Sequence, residues 1–210
     1  MPLYLSDEQT MLRDTAREFV ADQMPVSHMR ALRDTKNADG FSRDHWRQFG
    51  EMGFTGILIP ESDGGLGLGH VEAGVVLEEI GRNLSPSPFL STAVGAVAAL
   101  SNSAQRERWF PGILSGETVV ALAVDEHTKH GGGIALKAER AGNGFRLTGS
   151  KQFVALGHVA DMLIVAARTA GGAQDVEGIT LFAVPAGAAG LAVEPLRMAD
   201  ASISARLTFD

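Results

Sequence analysis

The sequence predicts an α+β protein of two domains: an N-terminal all-α helical domain, then an antiparallel β-barrel or sandwich domain. Three observations predict it. Apolar residues recur at helical spacing through the first half. After Gly116 the texture changes to short apolar, β-branched runs punctuated by Gly, Asn, Asp and Pro. No helical pattern separates those runs, which argues for antiparallel strands rather than βαβ units. The boundary falls near residues 114–117, giving domains 1–115 and 116–210.

The first helix starts at Ser6, which has capping-box spacing to Gln9, with Asp7 and Glu8 at the positive end of the helix dipole. Met11, Leu12, Thr15, Ala16, Phe19 and Val20 then form the expected buried stripe, and Pro25 limits the helix. A second helix starts at Ser42 and carries Trp46 and Phe49. Ile57-Leu58-Ile59 is a short apolar run ended by Pro60. A third helix spans about residues 70–81, with Val71, Val75, Leu77 and Ile80 among its apolar positions. Ser85-Pro86-Ser87-Pro88 breaks the chain before a small-residue helix over 88–100. A fifth helix, 103–110, ends at Pro111-Gly112.

Strand-like runs follow at 118–124, 134–139, 145–147, 152–156, 162–167, 179–184 and 191–196. Asn143-Gly144 is the strongest hairpin signal among them.

Composition narrows the function classes. The chain has 210 residues, 45% of them apolar and 20% charged, in the ordinary globular range. A formal net charge of -7 argues against a nucleic-acid partner, which needs a basic face. With no cysteine there is no disulfide framework and no thiolate nucleophile or ligand. No apolar run is long enough for a membrane helix, and residues 1–8 lack the pattern of a signal peptide, so a cytoplasmic location is expected.

Three segments invite a chemical reading. Gly64-Gly65-Leu66-Gly67-Leu68-Gly69 has the wrong spacing for a phosphate loop and no following lysine, so a close-packed turn is expected. Asp125-Glu126-His127-Thr128-Lys129-His130 contains metal-ligand side chains in an order unlike a zincin helix, so a polar loop and no metal are expected. Glu78-Glu79, with Arg82 four residues after Glu78, reads as an exposed salt-bridge face. No Gly-x-Ser-x-Gly elbow is present. The residues alone assemble no catalytic constellation.

Several segments, in order, resemble the acyl-CoA dehydrogenase family. Leu5-Ser6-Asp7-Glu8-Gln9 is similar to its opening helix. The stretch from Gly53 through Pro60-Glu61 to Gly64-Gly65-Leu66-Gly67 resembles its "G-x-x-G-x-x-x-P-E-x-x-G-G-x-G" pattern. Glu78-Glu79-Ile80-Gly81-Arg82 resembles the end of its next helix. Residues 105–117, with Trp109 and Pro111, resemble its link into the β domain. Leu147-Thr148-Gly149-Ser150-Lys151-Gln152-Phe153-Val154 resembles its "L-x-G-x-K-x-x-I" strand.

The resemblance covers essentially the whole chain and implies a FAD enzyme that oxidises the Cα–Cβ bond of an acyl-CoA thioester. It implies electrons passed to an electron-transferring flavoprotein and a homo- or hetero-oligomer. In the family a base and the flavin act on opposite faces of the substrate. That base is a glutamate of a C-terminal four-helix bundle, so it is expected beyond Asp210. No catalytic residue is expected in this chain, and no turnover from it alone.

Leu122, Val124 and Asp125 match the family strand "Y-C-L-T-E", which touches the flavin. Phe153, Val154 and Ala155 match "W-I-T", whose aromatic residue packs on the flavin. Residues 127–133 match the "P-G-A-G-S" loop, and Gly131 is the expected substrate contact. Asp125 and Ala155 replace two hydroxyl residues. Two lost hydrogen bonds of about 1 kcal/mol each would weaken flavin binding tenfold or more. Two further readings accompany these departures: a non-catalytic partner subunit of a hetero-oligomeric dehydrogenase, and a flavin monooxygenase or nitroalkane oxidase on the same fold.

Overall fold

A computed structural model describes residues 4–128 and 131–210. The chain divides into two compact units, Met1–Thr118 and Val119–Asp210.

In the helical unit, α1 (Asp7–Gln23) begins with the expected reciprocal cap between Ser6 and Gln9. Its buried side is narrower than the sequence predicts. Ala16 and Val20 are buried, whereas Thr15 is exposed and bonds back to Met11 O, and Met11 is 70% exposed. α2 (Val26–Asp34), which the sequence does not predict, follows Pro25 and buries no residue completely. α3 (Arg43–Glu51) is capped by Ser42 on the His45 amide. Phe49 on α3 centres an aromatic cluster, with Phe19, Phe54 and Phe89 at ring distances of 5.6, 5.5 and 6.2 Å.

The glycine-rich segment is the close turn expected. The amides of Leu66, Gly67 and Leu68 donate to the carbonyls of Gly56, Ile59 and Ile57. A Cβ on Gly65 would lie 2.1 Å from Ile59 O, so only glycine fits there.

α4 (His70–Arg82) packs on α1 and corrects one expectation. Glu78 is exposed and paired with Arg82, but Glu79 is fully buried and takes a two-pronged bond from Arg17 of α1, at 2.9 and 3.2 Å. Residues Leu90–Ala96 form a π-helical stretch that runs into α5 (Val97–Ala99). α6 (Ser103–Leu114) continues past Pro111 instead of stopping before it. Pro111 is exposed while Phe110 and Ile113 are buried, so packing of the inner face carries the last turn through the proline.

The second unit is a seven-stranded sheet: β1 (Val120–Ala123), β2 (Lys137–Ala141), β3 (Gly144–Ala155), β4 (Met162–Arg168), β5 (Ile179–Pro185), β6 (Leu191–Arg197) and β7 (Ile203–Phe209). The strand order is β1-β4-β2-β3-β7-β6, with β5 on β4. The helical-then-β class holds, with one refinement: the sheet is mixed. β1 runs parallel to β4, and β2 meets β4 in parallel at Lys137 and Arg168, while the other pairs are antiparallel.

The runs at 145–147 and 152–156 are one strand, β3. It pairs with β2 up to Thr148 and with β7 from Gly149. Gly149, at φ 138°, lies where a Cβ would come 3.1 Å from Leu136 Cα. The hairpin stands, but its two turn residues are Gly142-Asn143, with Gly142 at φ 58°. Ala121, Ala123, Leu163, Val165, Val154, Ala205 and Leu207 share one buried core, so the sheet curls over it. No helix of the described residues is long and apolar enough to cross a membrane.

Candidate functional site

The two segments proposed for flavin contact lie side by side. The Gln152 amide donates to Asp125 O at 2.8 Å, bridging the exit of β1 and the end of β3. The Lys151 ammonium reaches Val124 O at 2.9 Å. Along β1, Ala121 and Ala123 face the core, so Leu122 and Val124 alternate onto the other side, and Val124 is 40% exposed.

On β3, Val154 is buried in the core while Phe153 and Ala155 are exposed. Val154 can therefore offer an outside ligand its backbone but not its side chain. A register shift between Lys151 and Val154 forms a bulge, which re-aims Phe153. Phe153 stands at φ 54°, a conformation that costs a bulky residue energy. The strained backbone thus presents a 39%-exposed ring beside the exit of β1.

Behind this surface lies a buried ion pair. Lys151 is fully buried and its Nζ is 2.7 Å from Glu126 Oε1. The Glu126 carboxylate also accepts the amides of Ala135 at 2.8 Å and Leu136 at 3.0 Å. Burial works against its charge, but Lys151 and the two amides hold the carboxyl below its usual range. Burial also lowers the Lys151 ammonium, against the pull of Glu126 and Asp125.

Residues 131–134 lead into those amides. Gly131 sits on this stretch at φ 73° with open space where a Cβ would point. Gly133 is enclosed: a Cβ there would meet Ala173 O at 2.6 Å. His130 and Lys129 lie outside the described residues. Among the described residues, no group of three or more His, Asp and Glu could hold a metal ion.

Arg168 organises the far side of the same loop. Its buried guanidinium donates to the carbonyls of Ile134, Ala170, Ala173, Asp175 and Glu177. Gln174 then donates to Gly132 O. Arg168, Glu126 and the role of Lys151 are missed by sequence reasoning. A lysine inside a strand and an arginine closing an otherwise apolar one are the signals that could have found them.

The surface fits a flat aromatic cofactor by its exposed ring, its apolar neighbours and its backbone. It lacks hydroxyls at Asp125 and Ala155.

The acyl-CoA dehydrogenase N-terminal domain model matches residues 6–117 and the middle domain model residues 121–210. Mitochondrial isovaleryl-CoA dehydrogenase of Pongo abelii is 35% identical over 194 residues, covering 89% of this chain and 45% of the relative. The chain thus spans about half the length of its curated relatives. The crystal structure of the ChsE4-ChsE5 complex from Mycobacterium tuberculosis superposes with a TM-score of 0.85 at 29% identity, covering all of this chain (100%) and 56% of that one. A steroid acyl-CoA dehydrogenase, Tcur3481-Tcur3483, gives 0.81 at 26% identity, with coverages of 100% and 56%. With both domain models matched along nearly its whole length, the chain belongs to the acyl-CoA dehydrogenase family.

Proposed function

We propose that this chain supplies the helical domain and the flavin-facing β domain of a FAD-dependent acyl-CoA dehydrogenase. The observation that carries the reading is Phe153, exposed on a strained bulge beside the exit of β1. Bound FAD would supply the hydride acceptor for the Cβ–H of an acyl-CoA thioester. Leu122, Val124 and Phe153 form the apolar contact to its ring system. The backbone around Val124, Asp125, Val154 and Ala155 forms the polar edge, and Gly131 allows close approach of the thioester or a phosphate.

None of these residues is proposed as the base. Glu126 is committed to Lys151 and two amides, so its carboxylate does not accept the α-proton. The base is proposed to come from polypeptide outside residues 1–210, as the half-length match to relatives supports. An electron-transferring flavoprotein as electron acceptor, an oligomeric assembly and a cytoplasmic location belong to the same proposal.

The test is a visible absorption spectrum of the purified chain after gel filtration with FAD. A flavin band that travels with the protein is expected, with no acyl-CoA turnover. A folded chain that leaves the column colourless from saturating FAD would overturn the cofactor assignment.

The changes at Asp125 and Ala155 support a second reading, a non-catalytic subunit beside another dehydrogenase chain. Two structural neighbours bear two-component names, ChsE4-ChsE5 and Tcur3481-Tcur3483. Co-purification of the colourless chain with a flavin-bearing partner would favour it.

A further inference from the structure

Lys151 lies at a fully buried position inside β3, where a lone ammonium is strongly disfavoured. It is tolerated because two acceptors meet it, Val124 O at 2.9 Å and Glu126 Oε1 at 2.7 Å. Through Glu126 the contact extends to the amides of Ala135 and Leu136. One ammonium therefore joins three stretches: the exit of β1, the interior of β3 and the stem entering β2. The Glu126 carboxylate thus ties the residue after β1 to the stem at Ala135 and Leu136. The neighbouring bond from the Gln152 amide to Asp125 O, at 2.8 Å, lies between Lys151 and the strained Phe153.

Core stability alone does not call for this arrangement. Apolar side chains of similar volume often hold a core as well as a buried ion pair does. What an apolar pair cannot do is grip a carbonyl and two amides at fixed separations.

We propose that Lys151 is a positioning residue: through Val124 O and Glu126 it sets the spacing between the exit of β1, the Phe153 bulge and the stem at Ala135 and Leu136. It touches neither cofactor nor substrate and acts through the backbone that does. The proposal deepens the flavin reading and rests on it for the identity of the ligand.

The test compares the wild-type chain with Lys151→Met and with the double variant Lys151→Met/Glu126→Gln. The single variant leaves a buried carboxylate without its cation, so its melting temperature falls. The double variant removes both charges, and its melting temperature returns toward wild type. Two measurements on that refolded double variant decide the matter. FAD titration is expected to show roughly tenfold weaker binding. Amide hydrogen exchange at Gln152 and Leu136 is expected to quicken roughly tenfold, while Val165 in β4 keeps its protection.

A stable double variant with wild-type FAD affinity would overturn the proposal and leave the pair a structural role only. Unchanged exchange at Gln152 and Leu136 would overturn it as well. If the wild-type chain itself holds no FAD, the flavin reading fails on that arm, and the exchange arm still decides whether Lys151 sets the spacing.

Discussion

Arg168 carries the plainest consequence at the scale of a single residue. It satisfies five backbone carbonyls that fold the 169–178 loop, which meets Gly132 and Gly133 through Gln174 and Ala173. Arg168→Met should lower stability by about 3 kcal/mol, read from denaturant midpoints, because it leaves buried acceptors without donors. Arg168→Lys should not restore it, since a compact ammonium cannot reproduce the planar five-donor fork. Ala155 carries a second prediction. It is exposed at the end of β3, so Ala155→Thr adds a hydroxyl without crowding the core. FAD should bind about fivefold more tightly, by roughly 1 kcal/mol, in a fluorescence titration. Motif order is what singles out the candidate site residues in the sequence. Their chemistry was less readable. Glu79 has the spacing of a surface pair with neighbours on its own helix, yet it is buried against Arg17 of another helix, a partnership across 62 residues that local spacing does not encode.

At the scale of elements, caps and breaks were legible and continuity was not. Ser6 and Ser42 start α1 and α3 as their hydroxyls require. α2 is harder to read because no side chain caps it and its apolar stripe, Val26, Met29 and Leu32, is short and only half-buried. The sequence divides β3 into two runs around Gly149-Ser150, whereas the glycine lets one strand pass close to Leu136. The contact between α2 and α3 is unusual in chemistry. His28 and His45 face each other with ring centroids 4.8 Å apart, and His28 Nε2 and His45 Nδ1 are buried without a hydrogen-bond partner among the described residues. Burial lowers both imidazoles below their ordinary value. The charge of His28 lowers His45 further, and Asp44 opposes it. The unfolded chain therefore takes up protons that the folded one resists, so stability is full above the ordinary pKa of 6.5 and declines as pH falls below it. The melting temperature should drop between pH 7 and pH 5. In His45→Phe, whose ring keeps the edge contact to Phe19, the drop should be smaller.

At the scale of the molecule, the helical half followed by the β half was evident from the change of texture after Gly116. The strand order was not. β1 lies parallel to β4 across some 40 residues of sequence, with Val120 opposite Met162, and no turn signal announces a pairing made through a long connection. For the same reason the sequence predicts an antiparallel sheet where the structure has a mixed one. The buried ion pair and the guanidinium hub belong to this long-range level too, since each joins segments that are remote in sequence. The strand order also sets how the chain behaves among its own copies. β6 closes the sheet on one side and pairs only with β7 among the described residues, opposite which Pro195 faces Ala205. Proline has no N–H to give, and it survives in an edge strand where its nitrogen turns toward the open side. The free margin of the sheet is interrupted at its middle, so another strand arriving there finds an incomplete template for intermolecular pairing and fibril growth.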